Sequence, residues 1–232
     1  MPNRRVMEAA AKVRRNARPK AKRIYHKHRR EIRSAIRRLS GPTQEEHDWA
    51  FDLLSSMGEF VAPELLEALA DSTLDPIVAD EVVSLLGATG DERARKPLWE
   101  FFQDNLDDPE RASTAALSLA GLGDDRVLPY LREALDAAAD DELVANAVAS
   151  MIMLGEQEDI PHLRQVHRRH RANREIRMGI ANAVLTIVGE ADQRSFNRTM
   201  DKIQGSFADR DLWDDIWHIL DSEFGEGHHT VH

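Results

Sequence analysis

The chain has 232 residues, with 31 Lys plus Arg against 41 Asp plus Glu and no cysteine, so its formal net charge is -10. That length can bury a real core, and the missing cysteines exclude a disulfide scaffold, a thiolate zinc site and a cysteine nucleophile. No apolar run nears the roughly 18 residues of a membrane span, and Met-Pro-Asn-Arg-Arg opens no apolar segment, so neither a transmembrane helix nor a secretory signal is expected, and the expected compartment is the cytoplasm.

Residues 1–40 form the first predicted element, a basic N-terminal helical arm. They hold 15 Lys or Arg and two acids, a net +13. Val6, Ala10, Val13, Ala17, Ala21, Ile24, Ile32, Ile36 and Leu39 step mostly by three or four, and Pro19 splits the arm in two. Arg14, Arg15, Arg18, Lys20, Lys22, Arg23, Lys27, Arg29, Arg30, Arg33, Arg37 and Arg38 are its candidate contacts for an anionic partner. Four readings compete: nucleic-acid phosphates, an acidic protein, the chain's own acidic body, or an anionic membrane. The small alanines of the stripe weigh against the membrane. Only Ser34 and Ser40 are serines, which weighs against a transit peptide.

Residues 41–208 read as a repeat array. Gly58, Gly90, Gly123, Gly155 and Gly189 recur at spacings of 32, 33, 32 and 34 residues. Pro63, Pro97, Pro129 and Pro161 follow the first four glycines, and Arg194 or Ser195 takes that place in the fifth copy. Each unit predicts two helices. Val78, Val82, Leu85 and Leu86 mark a first helix, as do Leu143, Val144, Ala147, Val148 and Met151. The glycine would end it in a left-handed cap, and the proline would sit in the first turn of the second helix. The second helices are expected near 59–71, 124–139, 156–172 and 190–204. Paired acids such as Asp107-Asp108, Asp124-Asp125 and Asp140-Asp141 read as loop and helix-start residues rather than acid/base pairs. No strand pattern is present.

Residues 209–224 place Leu212, Trp213, Ile216, Trp217, Leu220 and Phe224 on one helical stripe, opposite Asp211, Asp214, Asp215 and Asp221. The expected role is a capping helix with a polar outer face, and the competing one is an acidic docking helix. Residues 225–232 predict a disordered His-rich tail, where His228, His229 and His232 could bind metal adventitiously.

The pattern Ala-x-x-Leu-x-x-x-Gly followed by Pro-x-Leu resembles the HEAT-like repeats of the phycobilisome-lyase type over about residues 44–204. The resemblance implies an all-α solenoid of about five helix pairs, with second helices lining its concave side. It also implies a family range from adaptors to lyase subunits and a few enzymes. Deoxyhypusine hydroxylase is similar in fold but uses repeated His-Glu pairs to hold iron, and this sequence has no His-Glu dipeptide. HEAT-like DNA glycosylases use a basic groove, whereas residues 41–161 here are net -22, with six basic and 28 acidic residues. No catalytic residue, metal or cofactor is therefore expected.

On the second helices, Glu64, Glu67, Arg95, Lys96, Arg132, Arg164, His167, Arg168, Arg171 and Arg198 are the candidate partner-binding residues of the concave face. His167 and His170, one turn apart among arginines, read as an anion or partner patch or as a solvated face rather than a metal site. Asn197-Arg-Thr199 is a glycosylation sequon without a secretory context. The expected function is a non-enzymatic scaffold or adaptor for a protein partner. The alternative is a nucleic-acid-associated protein anchored by the arm, and third comes a lyase-type or repair enzyme subunit.

Overall fold

A computed structural model describes residues 28–136 and 140–224. Among these residues the structure is helical, without strands. The chain divides into two compact units, Met1–Gln103 and Asp104–His232.

The first unit opens with α1, whose described part covers 28–38. It continues with α2 (Gln44–Ser56), α3 (Ala62–Leu69), α4 (Pro76–Ala88) and α5 (Arg95–Asp104), which closes the unit. Ile32, Ala35 and Ile36 of α1 and Leu39 just after it are buried, so this part of the arm packs into the core of the unit. The boundary expected at residue 40 therefore does not part arm from body. The apolar stripe of α1 needs cover, and the acids of α3 lie where its arginines can reach them.

The second unit holds α6 (Pro109–Gly121), α7 (Leu128–Ala134), α8 (Asp141–Leu154), α9 (Ile160–Arg169), α10 (Arg174–Gly189), α11 (Gln193–Gln204) and α12 (Arg210–Phe224). First helices stack in a row, α6 on α8 and α8 on α10, while α7 packs on α8 and α9 on α10. This sequential packing is that of an α-solenoid, in which each repeat supplies the apolar cover its neighbour lacks.

First helices begin at side-chain caps. Thr43, Asp75, Asp108, Asp140 and Asn173 each accept a hydrogen bond from a backbone N–H of the first turn. Such a cap stabilises a helix by about 1 kcal/mol. Asp108, Asp124 and Asp140 of the acidic pairs are all caps, as their turn positions suggested. Second helices begin differently. A 3-10 turn precedes α3, α5, α7 and α9, at Gly58–Val61, Glu92–Ala94, Asp125–Val127 and Gln157–Asp159. Pro63, Pro129 and Pro161 then fall at the second position of their helices, where a missing N–H costs nothing. One leucine per copy, Leu65, Leu98, Leu131 and Leu163, is fully buried two residues or fewer beyond the proline.

The glycines do not all serve one purpose. Gly58, Gly90 and Gly123 adopt positive φ of 56°, 67° and 71°, the left-handed turn expected of a helix stop. Gly155 instead has φ -60°. A Cβ there would lie 2.5 Å from Met151 O and 2.6 Å from Ile187 Cδ1, so close packing demands the glycine. Gly189 lies inside α10 with open space around it, and nothing in the structure requires a glycine there.

The fifth copy also departs from expectation. α11 starts directly at its Asp192 cap, without a 3-10 turn. The turn recurs one helix later, at Phe207–Asp209, just before α12. In the fourth copy Asp159, last residue of its turn, accepts from Arg132 of α7. Asp209, last residue of the later turn, accepts from Arg164 and Arg168 of α9 in the same way. The helix that lays its entry against α9 is thus α12, although sequence alignment on Gly189 assigned that role to 190–204.

Candidate functional site

Most charged residues expected on a partner-binding face are engaged within the chain. Glu64 is buried, and Arg29 Nε donates to its Oε1 at 2.6 Å. Arg33 donates to Glu67 at 2.5 Å, and Arg29 reaches the same carboxylate at 3.4 Å. Of the other arm residues, Arg38 stacks its guanidinium 5.0 Å over the Trp49 ring, while Arg30 and Arg37 are exposed. Arg14, Arg15, Arg18, Lys20, Lys22, Arg23 and Lys27 lie outside the described residues, as do the expected tail and the side chain of Phe224.

In the second unit Arg132 grips Asp159 with Nε at 2.6 Å and Nη2 at 3.2 Å, and also reaches Glu156. Arg164 and Arg168 both donate to Asp209, whose side chain has no exposed surface. Burial pushes the Asp209 carboxyl up, but the hydrogen bonds from Arg168 and Arg164 outweigh it and hold it below the usual range. Asp159 balances the same way, burial against the Arg132 hydrogen bond, with the same outcome.

His167 is 1% exposed, with Nε2 2.8 Å from Asp215 Oδ2. Arg177 of α10 closes on the same carboxylate through Nε at 2.9 Å and Nη2 at 2.7 Å. Burial depresses the His167 imidazole below its ordinary value even with Asp215 beside it. Arg171 donates to the Ala208 carbonyl and pairs with Asp211 at 3.3 Å.

These contacts correct the expected patch. His167 is buried against the Asp215 carboxylate instead of being open to an external anion, and Asp215 lies inside rather than on the polar outer face of the cap helix. The reason is mutual: three arginines and a buried imidazole need acceptors, and two aspartates, Asp209 and Asp215, supply them. Lys96 is exposed beside Glu100 at 3.5 Å, Arg95 is half-buried, and Arg198 is exposed on α11. His170 is buried with its Nδ1 3.5 Å from Asp141, so the two histidines do not share a site. Among the described residues no group of three or more His, Asp or Glu could hold a metal ion.

An unforeseen surface lies on the first helices of the first unit. His47, Asp48, Phe51 and Asp52 of α2 and Glu81 of α4 line an open depression of about 410 Å³. His47 Nε2 is 3.0 Å from Glu81 and its Nδ1 3.3 Å from Asp48, and its ring stacks on Phe51 at 6.3 Å between centroids. The hydrogen bond to Asp48, opposed by burial and joined by Glu81, raises the imidazole above its ordinary value. The cavity thus holds three carboxylates around one titratable cation. Sequence reasoning missed it because His47 and Glu81 are 34 residues apart, close to one repeat, and meet only when α2 and α4 stack.

Residues 112–137, across α6 and α7, match the family model of the PBS lyase HEAT-like repeat. The α6–α7 pair is thus similar to one unit of a HEAT-like repeat. HEAT-like repeats commonly serve as protein-interaction scaffolds, because a stack of repeats offers one extended surface. Comparison with curated proteins gives no match. Among the described residues no helix is long and apolar enough to cross a membrane.

Proposed function

We propose that the protein is a non-enzymatic adaptor that holds a basic segment of a protein partner. The observation that supports this reading most is the α2–α4 depression, where neighbouring repeats join their carboxylates and one aromatic ring around an open cavity. Carboxylates beside an aromatic face suit a guanidinium or an ammonium group, which gains from both. The second helices are less suited to the role, since their charges pair with one another from repeat to repeat. The nucleic-acid reading loses Arg29 and Arg33, which Glu64 and Glu67 already hold.

The test is quantitative affinity capture with the full chain and with an Asp52→Lys/Glu81→Lys variant. The variant is expected to lose a defined set of bound proteins that carry basic segments. An unchanged set of captured proteins removes the reading.

A further inference from the structure

α12, the last described helix, buries Leu212 and Ile216 against the stack yet leaves aromatic surface outside. A helix face that no further repeat covers is ordinarily polar, which keeps a solenoid in solution. α12 turns Asp215 inward to His167 and Arg177, and its entry turn buries Asp209. Trp217, by contrast, is 53% exposed, and Phe207, in that same entry turn, is 90% exposed. A lone exposed leucine would mean little, but a half-exposed tryptophan on the last helix keeps a large apolar surface in water.

Trp217 is not alone. Trp213, one turn earlier, packs edge-on against it with ring centroids 5.8 Å apart and an interplanar angle of 77°. Leu220, half-buried, continues the same stripe toward the C-terminal end of the helix. Asp214 and Asp221 border the stripe and are exposed, as are Arg210 and His218 beside them; at neutral pH the two aspartates outnumber the one arginine. Neither forms an ion pair among the described residues. A pair of like faces would bring these aspartates together, so a second copy is a poor occupant. An anionic lipid surface is disfavoured for the same reason. A partner with an apolar stripe bordered by lysine or arginine satisfies both the rings and the carboxylates.

We propose that the outward face of α12, built on Trp213, Trp217, Asp214 and Asp221, docks a basic amphipathic helix of a partner protein. This rests on the adaptor reading only in taking the ligand to be a protein, and it uses a surface in the other compact unit.

The probe is a synthetic amphipathic helix with leucine on one face and lysine on the other, titrated calorimetrically into the full chain at low and high salt. Binding is expected, weaker at high salt. Trp217→Ala should weaken it about tenfold or more, as for an aromatic anchor. Asp214→Lys/Asp221→Lys, confined to exposed positions, should weaken it and remove the salt dependence. A peptide with glutamate in place of lysine should not bind. Equal binding by the parent and both variants overturns the proposal, as does no binding by the parent. Sedimentation that shows a parent dimer and a Trp217→Ala monomer overturns it too, by making the face a self-interface. The Asp52→Lys/Glu81→Lys variant should keep the peptide. If it alone loses the peptide, the site is the α2–α4 depression, which overturns the α12 proposal and leaves the adaptor reading standing.

Discussion

Asp209 accepts from two arginines on a helix more than forty positions earlier, with no part of its own side chain in water. Removing one partner of such a group leaves buried charge uncompensated, at about 3–5 kcal/mol in a dry interior. Arg168 is partly exposed and can turn to solvent, so Asp209→Asn is expected to cost about 2–3 kcal/mol. A drop in the urea midpoint at constant slope is the reading that checks it. Two histidines make opposite demands on pH. His167 holds a proton less readily folded than unfolded, so its contribution to stability is present above about pH 6.5 and lost as pH falls below it. His47 holds a proton more readily when folded, so its contribution is full below about pH 6.5 and lost as pH rises through the folded value. Denaturation midpoints across this range should therefore fall less toward acid in His167→Asn than in the parent. In His47→Gln they should fall less toward alkali. Parallel profiles for all three proteins would contradict both assignments. Neither histidine's environment was legible in the sequence. His167 sat in a run of arginines that reads as a solvated face, and the acid that buries it lies 48 positions away.

At the scale of the element, the glycine period located the repeats and most of their helix stops. It could not separate glycines with different work. Gly155→Ala drives a methyl into Met151 O and Ile187, and overpacking of this kind costs about 1–3 kcal/mol. Gly189→Ala adds a methyl in open space on a helix and should stabilise by about 0.4–1 kcal/mol. Thermal unfolding of the two variants should thus move in opposite directions from the parent. Shifts of one sign would mean that the two glycines share a conformational role. The fifth copy failed for a related reason. Gly189 keeps the period, but the 3-10 entry and its arginine-accepting acid belong to the segment after Gly205. Pro-x-Leu-Arg at 129–132 and 161–164 is the sequence trace of those rungs, because Arg132 and Arg164 both reach an acid that ends the next such turn.

For the whole molecule, the linear blocks of charge pair with acids elsewhere in the chain at several of the described residues. Residues 1–40 are net +13, and Arg29 and Arg33 of α1 sit on Glu64 and Glu67. Residues 162–178, with six arginines and one glutamate, meet Asp209, Asp211 and Asp215. Charge that looked available for partners is thus partly cancelled within each compact unit. A chain truncated before Gly205 leaves Arg164, Arg168 and Arg177 without these acceptors and uncovers α10. It should lose cooperative thermal unfolding of the second unit and bind an apolar dye. A sharp, dye-free transition in the truncated chain would show that α12 is dispensable for the fold.

The sequence by itself determined the all-helical repeat, its period, its acidic helix starts and much of the apolar stripe of its first helices. These follow from local chemistry: helical spacing, turn preference and the burial of apolar side chains. Only the tertiary structure decided which charges remain for a partner. Pairing of Arg164 with Asp209, of His167 with Asp215 and of His47 with Glu81 requires helices from different repeats to stack. A one-dimensional charge count cannot tell a carboxylate that solvates a surface from one that holds a buried arginine. The stack settles that difference, and it leaves an acidic depression on α2 and α4 and a tryptophan pair on α12 facing the solvent.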